Sequence, residues 1–190
     1  MELPDIPIAV LDANVLYPAP VRDILLSASA KGLFFAKWTR KINEEWTYHL
    51  LRNRDDLDPA QIHRTVLIMN TAFPEAEVEG YERHIASIQL PDLQDRHVLA
   101  AALQAKAHCI VTQNLKDFPY DQLEQHGMLA LHPDIFLSNL IEVDYSNMLE
   151  AFKSLHARLK NPPIEESRLL QIFDNNGLVN FSNRIKDAFK

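Results

Sequence analysis

The chain has 190 residues, 47% of them hydrophobic and 24% charged, enough for one compact domain with an appended segment. Nineteen basic residues against 26 acidic ones give a net charge of -7; from Ser138 onward the two signs balance, so the acidic excess lies before it and no broad basic face for non-specific nucleic-acid binding is evident. One cysteine excludes a disulfide framework and a Cys-rich zinc site, no apolar run spans a bilayer, Met1 to Pro7 lacks a basic start, and a cytoplasmic protein is expected.

Pro7-Ile8-Ala9-Val10-Leu11 is a short apolar run that stops at Asp12, the pattern of a buried parallel strand with polar residues at its carboxyl end. Pro18 and Pro20 open a helix, Val21 to Lys31, with Ile24, Leu25 and Ala28 at helical spacing and Gly32 as its stop. Leu33 to Ala36 reads as a second strand. Thr39 caps a helix reaching about Arg52, with Ile42, Trp46 and Leu50 on one face. Asp58-Pro59 starts another, carrying Ile62, Val66 and Met69, and a further helix is expected over Glu75 to Ile85. Pro91-Asp92 opens a helix to about Lys106, with Val98, Leu99, Ala102 and Leu103 inward. Cys109 to Thr112 and Gly127 to Leu131 complete the strands, and from Asp134 on the pattern is helical, broken at Pro162-Pro163 and at Asn175-Asn176-Gly177. Strands alternating with helices, without tight hairpins, imply an α/β fold with a parallel sheet under right-handed crossovers.

In such sheets the working residues gather beyond the carboxyl ends of the strands. Asp12, Asn14, Asn114 and Asp117 fall there. Taken alone, Asp12 is a strand-end Asx turn or helix cap, and Asn114 a turn residue. Glu44 reads as a solvated acid, whereas Glu45 stands about 100° around the helix from Trp46 and can reach the strand ends. Asp92 is a plausible N-cap and Asp95 a first-turn acid. Acids at equivalent places, without His or Cys companions, favour Mg²⁺ or Mn²⁺ over zinc and suit in-line attack on a phosphodiester. Lys37, Arg40 and Lys41 form a basic cluster beside Glu45, and with Arg96 they are the candidates for guiding a phosphodiester backbone; a solvated surface is the alternative for each. Cys109 reads as core, and the chain has no Gly-rich phosphate loop and no nucleophile elbow.

Ile8 to Leu16, the helix around Glu44-Glu45-Trp46, and above all Leu90-Pro91-Asp92-Leu93-Gln94-Asp95-Arg96-His97-Val98-Leu99 followed by Ile110-Val111-Thr112-Gln113-Asn114-Leu115-Lys116-Asp117 resemble PIN-domain proteins, in particular the VapC-type toxins of bacterial toxin–antitoxin pairs. The resemblance implies a PIN-like central parallel sheet flanked by helices over residues 6–137, with a helical C-terminal extension over 138–190. It further implies an Mg²⁺- or Mn²⁺-dependent endoribonuclease acting on a structured RNA, with a cognate antitoxin and a homodimer as partners. Carried over by position, Asp12, Glu45 and Asp95 are the catalytic and metal-binding acids, with Asn14, Asp92 and Asn114 in support. The fourth acid of many PIN domains falls at Asn114, and Asp117 is the candidate to replace it. That departure keeps one alternative open, a PIN-fold module that binds RNA or protein without cleaving it.

Overall fold

A computed structural model describes residues 3–160 and 162–187. The chain runs β1 (Ile8–Leu11), α1 (Ala13–Leu16), α2 (Ala19–Ala30), β2 (Phe35–Lys37), α3 (Arg40–Asn53), α4 (Pro59–Ala72) and α5 (Glu82–Ile85). A 3-10 turn (Leu93–Asp95) then leads into α6 (Arg96–Ala105), β3 (Cys109–Val111), a second 3-10 turn (Leu115–Asp117), α7 (Tyr120–Glu124) and β4 (Leu129–Leu131). Four further helices follow: α8 (Pro133–Val143), α9 (Tyr145–His156), α10 (Glu166–Asn175) and α11 (Val179–Asp187). The strands pair in parallel in the order β2-β1-β3-β4. The fold is therefore the parallel sheet flanked by helices that the sequence leads one to expect.

Local chemistry accounts for most boundaries. β1 and β3 are apolar throughout because helices cover both faces of the sheet. α2 begins with Pro20 in its first turn, where a missing N–H loses nothing, and Gly32 follows its end at φ 77°, a conformation costly for other residues. Thr39 caps α3 by accepting from the Ile42 amide, and Asp58 caps α4 from Ala60. α6 ends at Lys106, a non-glycine residue in the left-handed region at φ 51°.

Two expected elements differ from what forms. The helix expected over Glu75 to Ile85 is confined to Glu82–Ile85, because the preceding segment runs extended beside Trp38. The Trp38 amide donates to the Ala76 carbonyl and the Val78 amide to the Trp38 carbonyl, so the sheet edge takes the hydrogen bonds a helix would have used. Gly80, at φ 70°, separates the two conformations. The second strand starts at Phe35 rather than Leu33; Leu33 and Phe34 are buried instead as a connection, with the Phe34 ring edge-on to Phe136 of α8 at 4.9 Å between centroids. Such a pair adds about 1 kcal/mol beyond its buried area.

Among the described residues the apolar core is continuous, running from Val10 and Ile110 in the sheet through Leu25 and Ala28 of α2 to Phe152, Phe173 and Phe181 of the last helices. Residue 138, where the sequence reading divides the chain, lies inside α8. Asp134 at the start of α8 accepts from the amides of Asn180 and Phe181 and from the Asn180 side chain, and so caps α11 across the fold. No described helix is long and apolar enough to cross a membrane.

Candidate active site

The order β2-β1-β3-β4 reverses direction between β1 and β3, and a parallel sheet opens a crevice beyond the carboxyl ends of its strands at such a point. The Asp12 amide donates to the Val111 carbonyl, which holds the ends of β1 and β3 level. An open cleft of about 630 Å³ lies there, lined by Asp12, Asn14, Glu45, Asp92 and Asp95 together with Tyr17, Trp46, His49, Gln94 and Gln113. Among the described residues lining it there is no Lys or Arg.

Asp12 is its floor. It is 6% exposed and fully engaged: Oδ1 accepts from the Ala13 amide at 2.7 Å, and Oδ2 accepts from Asn14 Nδ2 at 2.6 Å and Thr112 Oγ1 at 2.8 Å. Asn14 in turn donates to Thr112 Oγ1 and accepts from the Gln113 amide, so the two strand ends are stitched by side chains as well as backbone. Burial raises the Asp12 carboxyl above the usual range; the Thr112 and Ala13 hydrogen bonds oppose the rise, and the Glu45 charge adds to it.

Asp92 and Asp95 divide the two roles the sequence left open. Asp92 is a cap, accepting from the Gln94 amide to close the 3-10 turn. Asp95 stands at the N-cap of α6 but makes no side-chain capping bond, so its carboxylate is left to the cleft. Partial burial and the charges of Asp12, Asp92 and Asp117 push it up to about 6, and His97 opposes the rise. That shift records partial burial first and the surrounding negative charge second.

Glu45 reaches the cleft from α3, while Glu44 is solvated and pairs with Arg40 at 2.8 Å. Asn114 and Asp117 do not line the cleft; they bond to each other side chain to side chain, and the Asn114 amide donates to Thr112 Oγ1. The basic candidates also stand outside the lining. Lys37 donates to the Glu75 carbonyl, Lys41 lies 3.8 Å from Glu45 Oε1, and Arg96 donates to the Leu93 carbonyl. Two residues at the site went unremarked in the sequence. Thr112, taken only as the last residue of a strand, holds Asp12. His97 is buried beside Glu45. A polar residue closing an apolar strand opposite another strand-end acid was the available signal for Thr112. For His97 it was a lone imidazole among the inward positions of a helix.

A model of the PIN domain matches residues 9–116, more than half of the chain. The chain belongs to the PIN-domain family. A second model, the VapC50 C-terminal domain, matches residues 133–187, the segment of α8 to α11. A curated protein of Mycobacterium tuberculosis, named "Putative ribonuclease VapC50", is 47% identical over 64 residues, 34% of this chain and 37% of that protein. The match thus spans little more than a third of the relative's length. No solved structure matches the chain. The VapC-type PIN resemblance seen in the sequence is supported at both ends of the protein.

No three described His, Cys, Asp or Glu side chains are grouped as a ready-made metal site. The donor chemistry nevertheless fits a hard cation. Mg²⁺ keeps several waters and needs only one or two carboxylates, and a divalent ion would offset the neighbouring negative charges that add to burial in raising Asp95.

Proposed function

We propose that this PIN-domain chain is an Mg²⁺- or Mn²⁺-dependent endoribonuclease of the VapC type, the toxin of a toxin–antitoxin pair. The observation that carries the reading is the meeting of Asp12, Glu45 and Asp95 in one open cleft at the sheet's reversal point, with Asp95 raised to about 6 by partial burial and then by its acidic neighbours. Asp12 and Asp95 would hold the ion, with Glu45 completing the set. When bound, it would supply positive charge against the scissile phosphate and lower the pKa of attacking water. The chain's own contribution is placement. Thr112, Asn14 and the Ala13 amide fix Asp12, and the 3-10 turn closed by Asp92 aims Asp95 past the end of α6. Asn114 and Asp117 form the flank, with Asp117 acting on Asp95 through its charge. The name of the M. tuberculosis relative and the VapC50-type C-terminal match support the toxin assignment. A homodimer and an antitoxin that answers the acids with Arg or Lys belong to the same reading; sedimentation and co-purification test them.

The deciding experiment incubates the purified chain with structured RNA, tRNA or rRNA, in millimolar Mg²⁺ or Mn²⁺ and in excess chelator. Cleavage with metal, its loss in chelator and its return on adding metal back are the expected results. Undiminished cleavage in chelator would sink the metal mechanism. Binding without cleavage under all conditions would favour the RNA-binding module that Asn114 keeps open.

A further inference from the structure

His97 is 2% exposed in the first turn of α6, among apolar neighbours Val98, Leu99, Ala100 and Ala101. Its Nε2 lies 3.0 Å from Glu45 Oε1, and its buried Nδ1 has no partner among the described residues. A buried ring nitrogen left unpartnered is destabilising, so an apolar side chain would serve better if packing were all this position required. The imidazole's polar capacity goes to one group, the carboxylate of Glu45. That carboxylate needs holding, since its charge and those of Asp12 and Asp95 share one cleft, and α3 by itself gives a glutamate freedom to swing into solvent.

We infer that His97 is a positioning residue: its buried Nε2–H ties Glu45 of α3 to α6, setting the second acid against Asp12 and Asp95 and leaving the other Glu45 oxygen for the cleft. The proton is assigned to Nε2 from the carboxylate oxygen it faces. Lys41, 3.8 Å from the same oxygen and half exposed, is a looser second tether. The inference rests on the acids acting together as proposed above. Partners that orient the ligands of a metal typically change affinity or activity by about 10–100-fold when removed.

The test compares the full chain with His97→Gln, which keeps a donor at the end of the side chain, and His97→Leu, which fills the space without one. In His97→Leu, kcat for RNA cleavage should fall about 10–100-fold with KM within about twofold, and Mn²⁺ affinity measured by calorimetry should fall about tenfold. His97→Gln should recover most of both. Equal losses in the two variants, or wild-type kcat and Mn²⁺ affinity in His97→Leu, would overturn the role. In metal-free wild-type protein, ¹⁵N NMR should show a slowly exchanging imidazole Nε2–H that disappears in Glu45→Ala; its absence from the wild type would also overturn it. Failure of the wild type to cleave RNA would refute the ribonuclease reading alone, and the calorimetric and NMR comparisons would still decide the role of His97.

Discussion

Asp12 in the cleft and Asp134 at the start of α8 are alike by the usual measures of a buried acid. They are 6% and 5% exposed, and each accepts three hydrogen bonds. Their surroundings differ. Asp134 receives two amides and a side chain from the first turn of α11, an arrangement that a single negative charge completes. Asp12 is hydrogen-bonded across two strand ends and opens on a cleft that holds Glu45, Asp92 and Asp95. Burial and hydrogen bonding thus do not set the carboxylate proposed to hold metal apart from the one that caps a helix. The company of other acids at an accessible surface does.

The sharpest way to break the comparison is to remove each charge in turn. Asp12→Asn keeps the shape of the side chain but gives up one acceptor, so the melting temperature should fall modestly while metal-dependent cleavage per folded molecule falls by at least about 10²-fold. Wild-type turnover in Asp12→Asn would end the case for that acid. Asp134→Ala should do the reverse. Two amides and an Asn side chain lose a charged acceptor, at a cost of about 2–4 kcal/mol in denaturant unfolding, with activity per folded molecule retained. A lesser effect would show that α11 is held by its apolar face alone.

Asp117 lies between the two cases, since it is bonded to Asn114 yet acts on Asp95. Asp117→Asn should lower cleavage about tenfold, and Asn114→Asp should tighten Mn²⁺ binding by calorimetry. Normal turnover and metal affinity in Asp117→Asn would leave it a turn residue. The smallest effect is in pH. Asp95 titrates at about 6 when folded against an ordinary 3.8, so the folded state binds its proton more tightly. Its contribution to stability is present in acid and lost as pH rises through 6. Metal-free wild type should therefore lose stability relative to Asp95→Asn between about pH 4 and 6, and millimolar Mn²⁺ at pH 7.5 should recover part of the loss. Parallel melting curves for the two proteins across that range would contradict it.

Much of this was legible in the sequence because strands and caps leave local marks. Three apolar runs ending in polar residues placed β1, β3 and β4 closely, and Thr39 and Asp58 announced their helices. The segment around Glu77 was not legible, because its conformation is set by Trp38 nearly forty residues earlier and not by its own periodicity. Asp12, Asp92 and Asp95 could be named since each stands at an element's end, and Glu45 since its place around α3 lets it reach the strand ends. Their neighbours could not. Thr112 meets Asp12, and His97 meets Glu45, only after the sheet and helices have packed. The separation of Asp92 as a cap from Asp95 as an open carboxylate likewise depends on a 3-10 turn that the sequence reads as plain helix.

α2 has one further consequence, which concerns the order of synthesis. Every acid lining the cleft lies at or before residue 95, so all of them are made before α8 to α11. Yet α2, which follows the short helix capped by Asp12, is covered by α9 and α10, and Ser27 near its end accepts a hydrogen bond from Arg158. A nascent chain that has completed β4 therefore carries the full set of acids on a scaffold whose outer helix is still bare to water. α9 and α10 cover that helix, and both are synthesised after every acid lining the cleft.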